Sequence, residues 1–221
     1  MSDHKALFDA IRAGDLAAVK SFVEADASLA SARNDSGVSG VLTAVYMGRA
    51  EIRDFMLASG ALLELPEAAA MGNVARVREL IGKNPAQANA FSPVGFPVVA
   101  LAAFLGHLEV VLYLAAHGAD INAVATNGSG YNALTGAVTS GHAAVVQWLL
   151  EHGANANYRY SGNYSPLLTA AANGRLDIAK LLLAHGADPH ATTSDGKSAL
   201  SLANERNHPE VAALFLARAA S

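Results

Sequence analysis

Six glycines, Gly14, Gly48, Gly72, Gly106, Gly141 and Gly174, punctuate the chain at separations of 34, 24, 34, 35 and 33 positions, and Asn207 continues the series a further 33 positions on. Twelve residues after each glycine stands another residue that tolerates left-handed backbone: Asp26, Gly60, Asn84, Gly118, Gly153 and Gly186. Between the two lies a dense apolar stretch at helical spacing, as in "GHLEVVLYLAAHG" and "GRLDIAKLLLAHG". Glycine weakens helix interiors, and Gly, Asn and Asp end helices in the left-handed region, so each pair is read as the start and the stop of one helix. A chain punctuated in this way is expected to fold as a stack of similar units, each burying its apolar face against its neighbours.

A shorter apolar segment precedes each opening glycine: "VLTAVYMG", "LPEAAAMG", "VVALAAFLG", "ALTGAVTSG" and "LLTAAANG". Ser39, Asn132, Ser165 and Ser198 stand where such segments begin and are suited to capping a helix N-terminus. Each unit therefore reads as a short helix, a glycine turn, a longer helix, a left-handed stop and a loop of about ten residues. Apolar residues make up 52% of the chain, and paired alanines such as Ala102–Ala103 and Ala170–Ala171 allow neighbouring short helices to approach closely. Val110, Val111, Tyr113, Leu114, Trp148, Leu149, Ile178, Leu181 and Leu182 follow helical spacing and are assigned to the core, with Trp148 as a large buried anchor between units.

The stretch "SPLLTAAANGRLDIAKLLLAHGADPH" (165–190) resembles the ankyrin repeat consensus almost position for position, and "GHLEVVLYLAAHGADIN" and "DGKSALSLANERNHPEVAALF" are close to it as well. A tetratricopeptide array has a similar period but lacks the long loop and the paired glycines. The resemblance implies an all-α solenoid of six to seven units with projecting β-hairpin fingers, in one domain over 1–221, with units at approximately 4–33, 34–63, 64–89, 90–122, 123–157, 158–190 and 191–221. The family's Thr-Pro-Leu-His signature survives only in part, as Ser165-Pro166-Leu167, and its histidine is replaced by Leu42, Ala100, Thr135, Leu168 and Ser201. The unit around Gly72 is ten residues short, so it should lack its finger and leave a notch in the finger row.

Composition narrows the function. A formal charge of −4 without a basic stripe argues against nucleic acid as a partner. No apolar run reaches the length of a membrane span, and the opening "MSDHKALFDAIRAGD" has no apolar core of a signal peptide. The chain has no cysteine, which removes disulfide and thiolate chemistry and fits a reducing compartment. A cytoplasmic monomer is the expectation. Eight histidines invite a metal reading, but His107, His142, His117, His152 and His185 recur at fixed repeat positions and are expected to line the outside of the stack. No metal, no cofactor and no catalytic residue is expected. Gly128-Ser129-Gly130 lacks the lysine and the strand–helix setting of a phosphate loop and reads as a finger tip.

The aromatic residues remain. Phe96, Tyr131 and Tyr164 precede the short helix in three consecutive units, Tyr158 and Tyr160 lie on the finger before Tyr164, and Tyr46 and Phe104 stand near the end of their short helices. In the ankyrin arrangement fingers and short helices line a concave face, where repeat proteins bind partners. The resemblance therefore implies a non-catalytic protein-binding module, acting as a regulator or inhibitor, with these seven aromatics as its binding residues and Tyr131 as the central anchor. An enzyme-accessory or small-ligand role at the notch of the third unit is the alternative; an ordered, closed pocket lined by Asp or Glu around residues 60–98 would favour it.

Overall fold

The computed structural model describes residues 3–219, which form fourteen α-helices arranged as seven antiparallel pairs. The pairs are α1 (Asp3–Ala13) with α2 (Leu16–Ala25), α3 (Gly40–Tyr46) with α4 (Ala50–Ala58), α5 (Leu65–Ala70) with α6 (Val74–Lys83), α7 (Val98–Phe104) with α8 (Leu108–Ala116), α9 (Ala133–Ser140) with α10 (Ala143–Glu151), α11 (Pro166–Ala172) with α12 (Leu176–Ala184), and α13 (Ala199–Glu205) with α14 (Pro209–Ala219). The short helices α3, α5, α7, α9, α11 and α13 stack in one layer, and behind them the long helices stack in a second, α2 on α4 and then α6 through α14. The chain is an α-solenoid.

Four of the short helices, α3, α9, α11 and α13, begin where a side chain satisfies a free N–H group, whereas α5 and α7 start at Glu64 and Pro97 without one. Ser39 accepts from Leu42 N–H at 3.0 Å, Ser165 from Leu168 N–H at 3.3 Å and Ser198 from Ser201 N–H at 3.2 Å. Asn132 and Thr135 form a reciprocal capping box, so Thr135 serves its own helix start where the family consensus has histidine.

All the opening glycines but Gly48 are required twice over. Gly174 has φ +67°, which disfavours any L side chain, and a Cβ there would also lie 2.5 Å from Nδ1 of His208 in the next unit. The same packing recurs: His107 over Gly72, His142 over Gly106, Arg175 over Gly141 and Arg49 over Gly14. His107 Nε2 donates to Ala70 O at 3.0 Å and His208 Nε2 to Ala172 O at 3.2 Å, since a carbonyl only accepts. Contrary to the sequence expectation, His107 and His142 are therefore stitches between units rather than an outer row. His117 and His152 do lie on the exposed side, each against the aromatic residue four positions earlier: His117 tilted on Tyr113 (4.0 Å) and His152 stacked on Trp148 (3.9 Å). Those aromatics, with Leu181, are only half-buried, so Trp148 is not the buried anchor its apolarity suggested. Leu114, Leu149, Ile178 and Leu182 fill the equivalent interior positions and are fully buried.

Two of the six stops also differ from expectation. Asp26 (φ −145°) and Asn84 (φ −149°) are extended, and each leads into a 3₁₀ turn, 27–31 and 85–89. Pro85 forces its predecessor out of the helical region, and the Asp26 carboxylate accepts from Ser28 N–H at 2.9 Å to start the turn.

The third pair has no finger: residues 61–64 run directly from α4 into α5 without a turn. The notch expected there is closed. The finger 91–97 packs against the finger 33–39, with Gly37 against Pro93, and Val38 and Leu42 share a cluster with Ala70, Val94 and Leu105. Under the closed fingers Glu67 of α5 is completely buried, its Oε1 3.0 Å from the Arg33 guanidinium, while Arg33 also holds Glu64 at 3.1 Å. The main apolar core runs continuously from Leu65 to Phe215, and a second core from Leu7 to Met56 serves the first two pairs.

Candidate partner-binding groove

Most of the aromatics singled out from the sequence gather around one opening. Tyr46 from α3, Leu101 and Phe104 from α7, Gly136 from α9, and Phe96, Ser129 and Tyr131 from the fingers line a cavity of about 320 Å³. Tyr46 and Phe104 are 38% and 43% exposed, Phe96 and Tyr131 half-buried. The short-helix position occupied by Tyr46 and Phe104 is Ala70 in the intervening α5, so these two rings are not separated by a third bulky side chain. Gly136 opens the far side, because a Cβ there would crowd Phe104 Cβ at 3.2 Å.

A second, wider cavity of about 520 Å³ shares Ser129 and Tyr131 with the first and continues past Tyr160, Tyr164, Thr169 and Asn173 to Arg206. Its wall is a cluster of tyrosine rings. Tyr160 stands 5.5 Å from Tyr131 and 6.3 Å from Tyr164, so the expected ladder of equivalent residues is interrupted here by a ring from the finger between them. Tyr160 is fixed by its hydroxyl on Thr169 Oγ1. Tyr158, 6.4 Å from Tyr160, lines neither cavity; its hydroxyl donates to Gly130 O at 2.9 Å and ties two fingers together.

The hydroxyls of Tyr160 and Tyr46 stay neutral across the physiological range. Burial pushes Tyr160 up to about 12, helped by the neighbouring Tyr131 and Tyr164 and opposed by the Thr169 hydrogen bond. Tyr46 is likewise pushed up to about 12, chiefly by burial of its hydroxyl end, with Ser92 opposing and the Glu67 charge adding to the rise. No Asp or Glu lines either cavity. Glu64 lines a separate, open crevice of about 330 Å³ with Leu80, Phe91 and Pro93, and its exposed carboxylate is held by Arg33.

Comparison with known families supplies the remaining identification. The family description "Ankyrin repeats (3 copies)" matches residues 65–160, and "Ankyrin repeats (many copies)" matches 149–203. The chain belongs to the ankyrin repeat family. A search of curated proteins finds no match to it. Ankyrin repeats are generally protein–protein interaction modules, typically non-catalytic, and no helix among the described residues is long and apolar enough to cross a membrane.

One set of functional contacts was missed from the sequence. An asparagine ladder joins the ankyrin loops: Asn89 donates to Gly118 O and accepts from Asp120 N–H, Asn122 bridges Gly153 O and Asn155 N–H, and Asn157 bridges Gly186 O and Asp188 N–H. The signal was present, since Asn122 and Asn157 both stand four residues after a closing glycine. It holds the fingers, and hence the tyrosine wall, at a fixed spacing.

Proposed function

We propose that this ankyrin repeat protein is a non-catalytic binding module, a monomer that regulates or inhibits a partner protein by holding it against its concave face. The observation that carries the reading is the convergence of Tyr46, Phe96, Phe104 and Tyr131 on one open apolar cavity. Partly exposed aromatics around a preformed apolar recess are what interface hot spots are built from, because their burial on docking releases much apolar area at little entropic cost. The stitched backbone beneath them keeps the surface in one shape, which lowers the ordering cost of association. Tyr131 belongs to both cavities and is the central anchor, Phe96 and Tyr164 flank it, and Tyr46, Phe104 and Tyr160 form the rim. Tyr158 contributes by holding the finger.

The test is affinity capture with the folded protein, comparing wild type with a Tyr131→Ala/Tyr164→Ala double variant. Truncating such anchors commonly costs about 2 kcal/mol or more each. Proteins retained by wild type should be lost from the variant, with both unfolding at similar denaturant concentrations. Equal retention would place binding elsewhere on the molecule.

A further inference from the structure

A third crevice adjoins the aromatic cavity, and its origin is the shortened third unit. Where other units place His or Arg over the preceding opening glycine, this one has Asn73, and nothing reaches Gly48. The space left, about 320 Å³, is bordered by Arg49, Arg53 and His107, and it shares Val45 and Leu105 with the aromatic cavity. Arg53 keeps Asp54 at 2.7 Å, whereas Arg49 bonds only the Arg12 carbonyl among the described residues. At the opposite end of the groove Arg206 is exposed, and no carboxylate lies within salt-bridge distance of it among the described residues.

The three recesses thus follow one another along the stack with Arg49 and Arg53 bordering the first, aromatic rings the second, and tyrosine rings with Arg206 at the far end the third. The chain carries more acidic than basic residues, 19 against 15, yet no Asp or Glu lines any of the three. Such a distribution repels basic segments and attracts acidic ones to both ends of the groove, leaving an uncharged, aromatic centre. We infer that the groove takes a segment of the partner protein with a bulky apolar residue at its centre and Asp or Glu on both flanks. The inference rests on the binding reading above and specifies the chemistry of what is bound. Helices in a stack lie about 8–10 Å apart, so a groove crossing five helix spacings is matched by an extended segment of about 12–15 residues at roughly 3.3 Å each. The central side chain enters among Tyr46, Phe104 and Tyr131, the acidic flanks face Arg49 and Arg206, and the hydroxyls of Tyr131 and Tyr164 meet the segment's backbone.

Selection from a displayed library of random peptides tests this, because it imposes no charge. The bait is the full chain, with Arg49→Glu/Arg206→Glu and Phe104→Ala/Tyr131→Ala variants beside it, each verified by its thermal unfolding curve. The expected result is enrichment of sequences with an aromatic or large aliphatic residue between acidic flanks, binding the arginine variant at least tenfold more weakly and losing affinity as salt rises. Enrichment of apolar-centred peptides with basic or unbiased flanks, binding the arginine variant equally, overturns the inference and leaves the aromatic groove standing. Enrichment indifferent to the Phe104/Tyr131 variant, enrichment of no peptide, or specific retention only of a second copy of the chain or a small molecule overturns the inference and the groove reading with it.

Discussion

At the scale of single residues, two kinds of glycine that look alike in sequence do different physical work. Gly186 closes its unit at φ +80° with nothing within 4 Å of where a Cβ would stand, whereas Gly174 at φ +67° is also pressed by the His208 ring. Gly186→Ala should therefore cost only the left-handed penalty, about 1–2 kcal/mol. Gly174→Ala should cost more, and His208→Ala in the same chain should recover part of the difference. Urea unfolding of the single and double variants reads this coupling directly, and a strictly additive cycle would place the His208 ring elsewhere. Glu67 offers a second case. Its carboxylate is wholly buried and neither oxygen has a well-formed hydrogen bond, so the Arg33 guanidinium, 28% exposed, is its main compensation. Arg33→Ala should destabilise by about 3 kcal/mol, the low end for breaking a buried pair. Replacing Glu67 by Leu in that variant should restore much of the loss, since an apolar side chain needs no partner.

At the scale of elements, the units are joined by their turns as well as by their helix faces. His107 holds the turn between α7 and α8 to the end of α5, and burial holds its imidazole below the usual histidine range, the Ala70 contact opposing and His142 adding to the fall. The sign of the linkage follows. Above the unfolded histidine value of about 6.5 both states are neutral and the contribution is fully present; as pH falls from there toward the depressed folded value, the unfolded chain takes up the proton first and stability declines. Denaturant midpoints measured from pH 8 downward should fall through that window, and the His107→Gln variant should show a shallower fall. Identical profiles for the two proteins would assign the pH dependence to other groups.

At the scale of the whole molecule, the buried residues divide between α4 and α5. The larger core serves α5 to α14 and the smaller one α1 to α4, with contact between them through the closed fingers and the Val38, Leu42 and Ala70 cluster. Stability in a solenoid is a sum over units and nearest-neighbour interfaces, so the weakest junction sets where it opens. Amides of α1 to α4 are expected to exchange through openings of lower free energy than those of α7 to α12, with the break near residue 60. Hydrogen exchange under native conditions measures this, and uniform protection across both blocks would show the junction to be as strong as the rest.

What the sequence determined by itself is what repeats. Glycine spacing, helical periodicity and the caps at Ser39, Asn132, Ser165 and Ser198 are local properties, and a stack of similar units needs little beyond them, so fold class and helix positions were legible without coordinates. The aromatic set was legible for the same reason, since Phe96, Tyr131 and Tyr164 fall at equivalent positions. Whatever depends on contact between units was decided by the tertiary structure. The finger missing from the third unit left no gap in the finger row, because the fingers on either side close together over Glu67. The histidines after the opening glycines turned inward to the preceding turn, and Tyr160 came between two rings that periodicity alone would have set side by side. Spacing along the chain specifies which face a residue occupies; only packing decides which neighbour fills the space beside it.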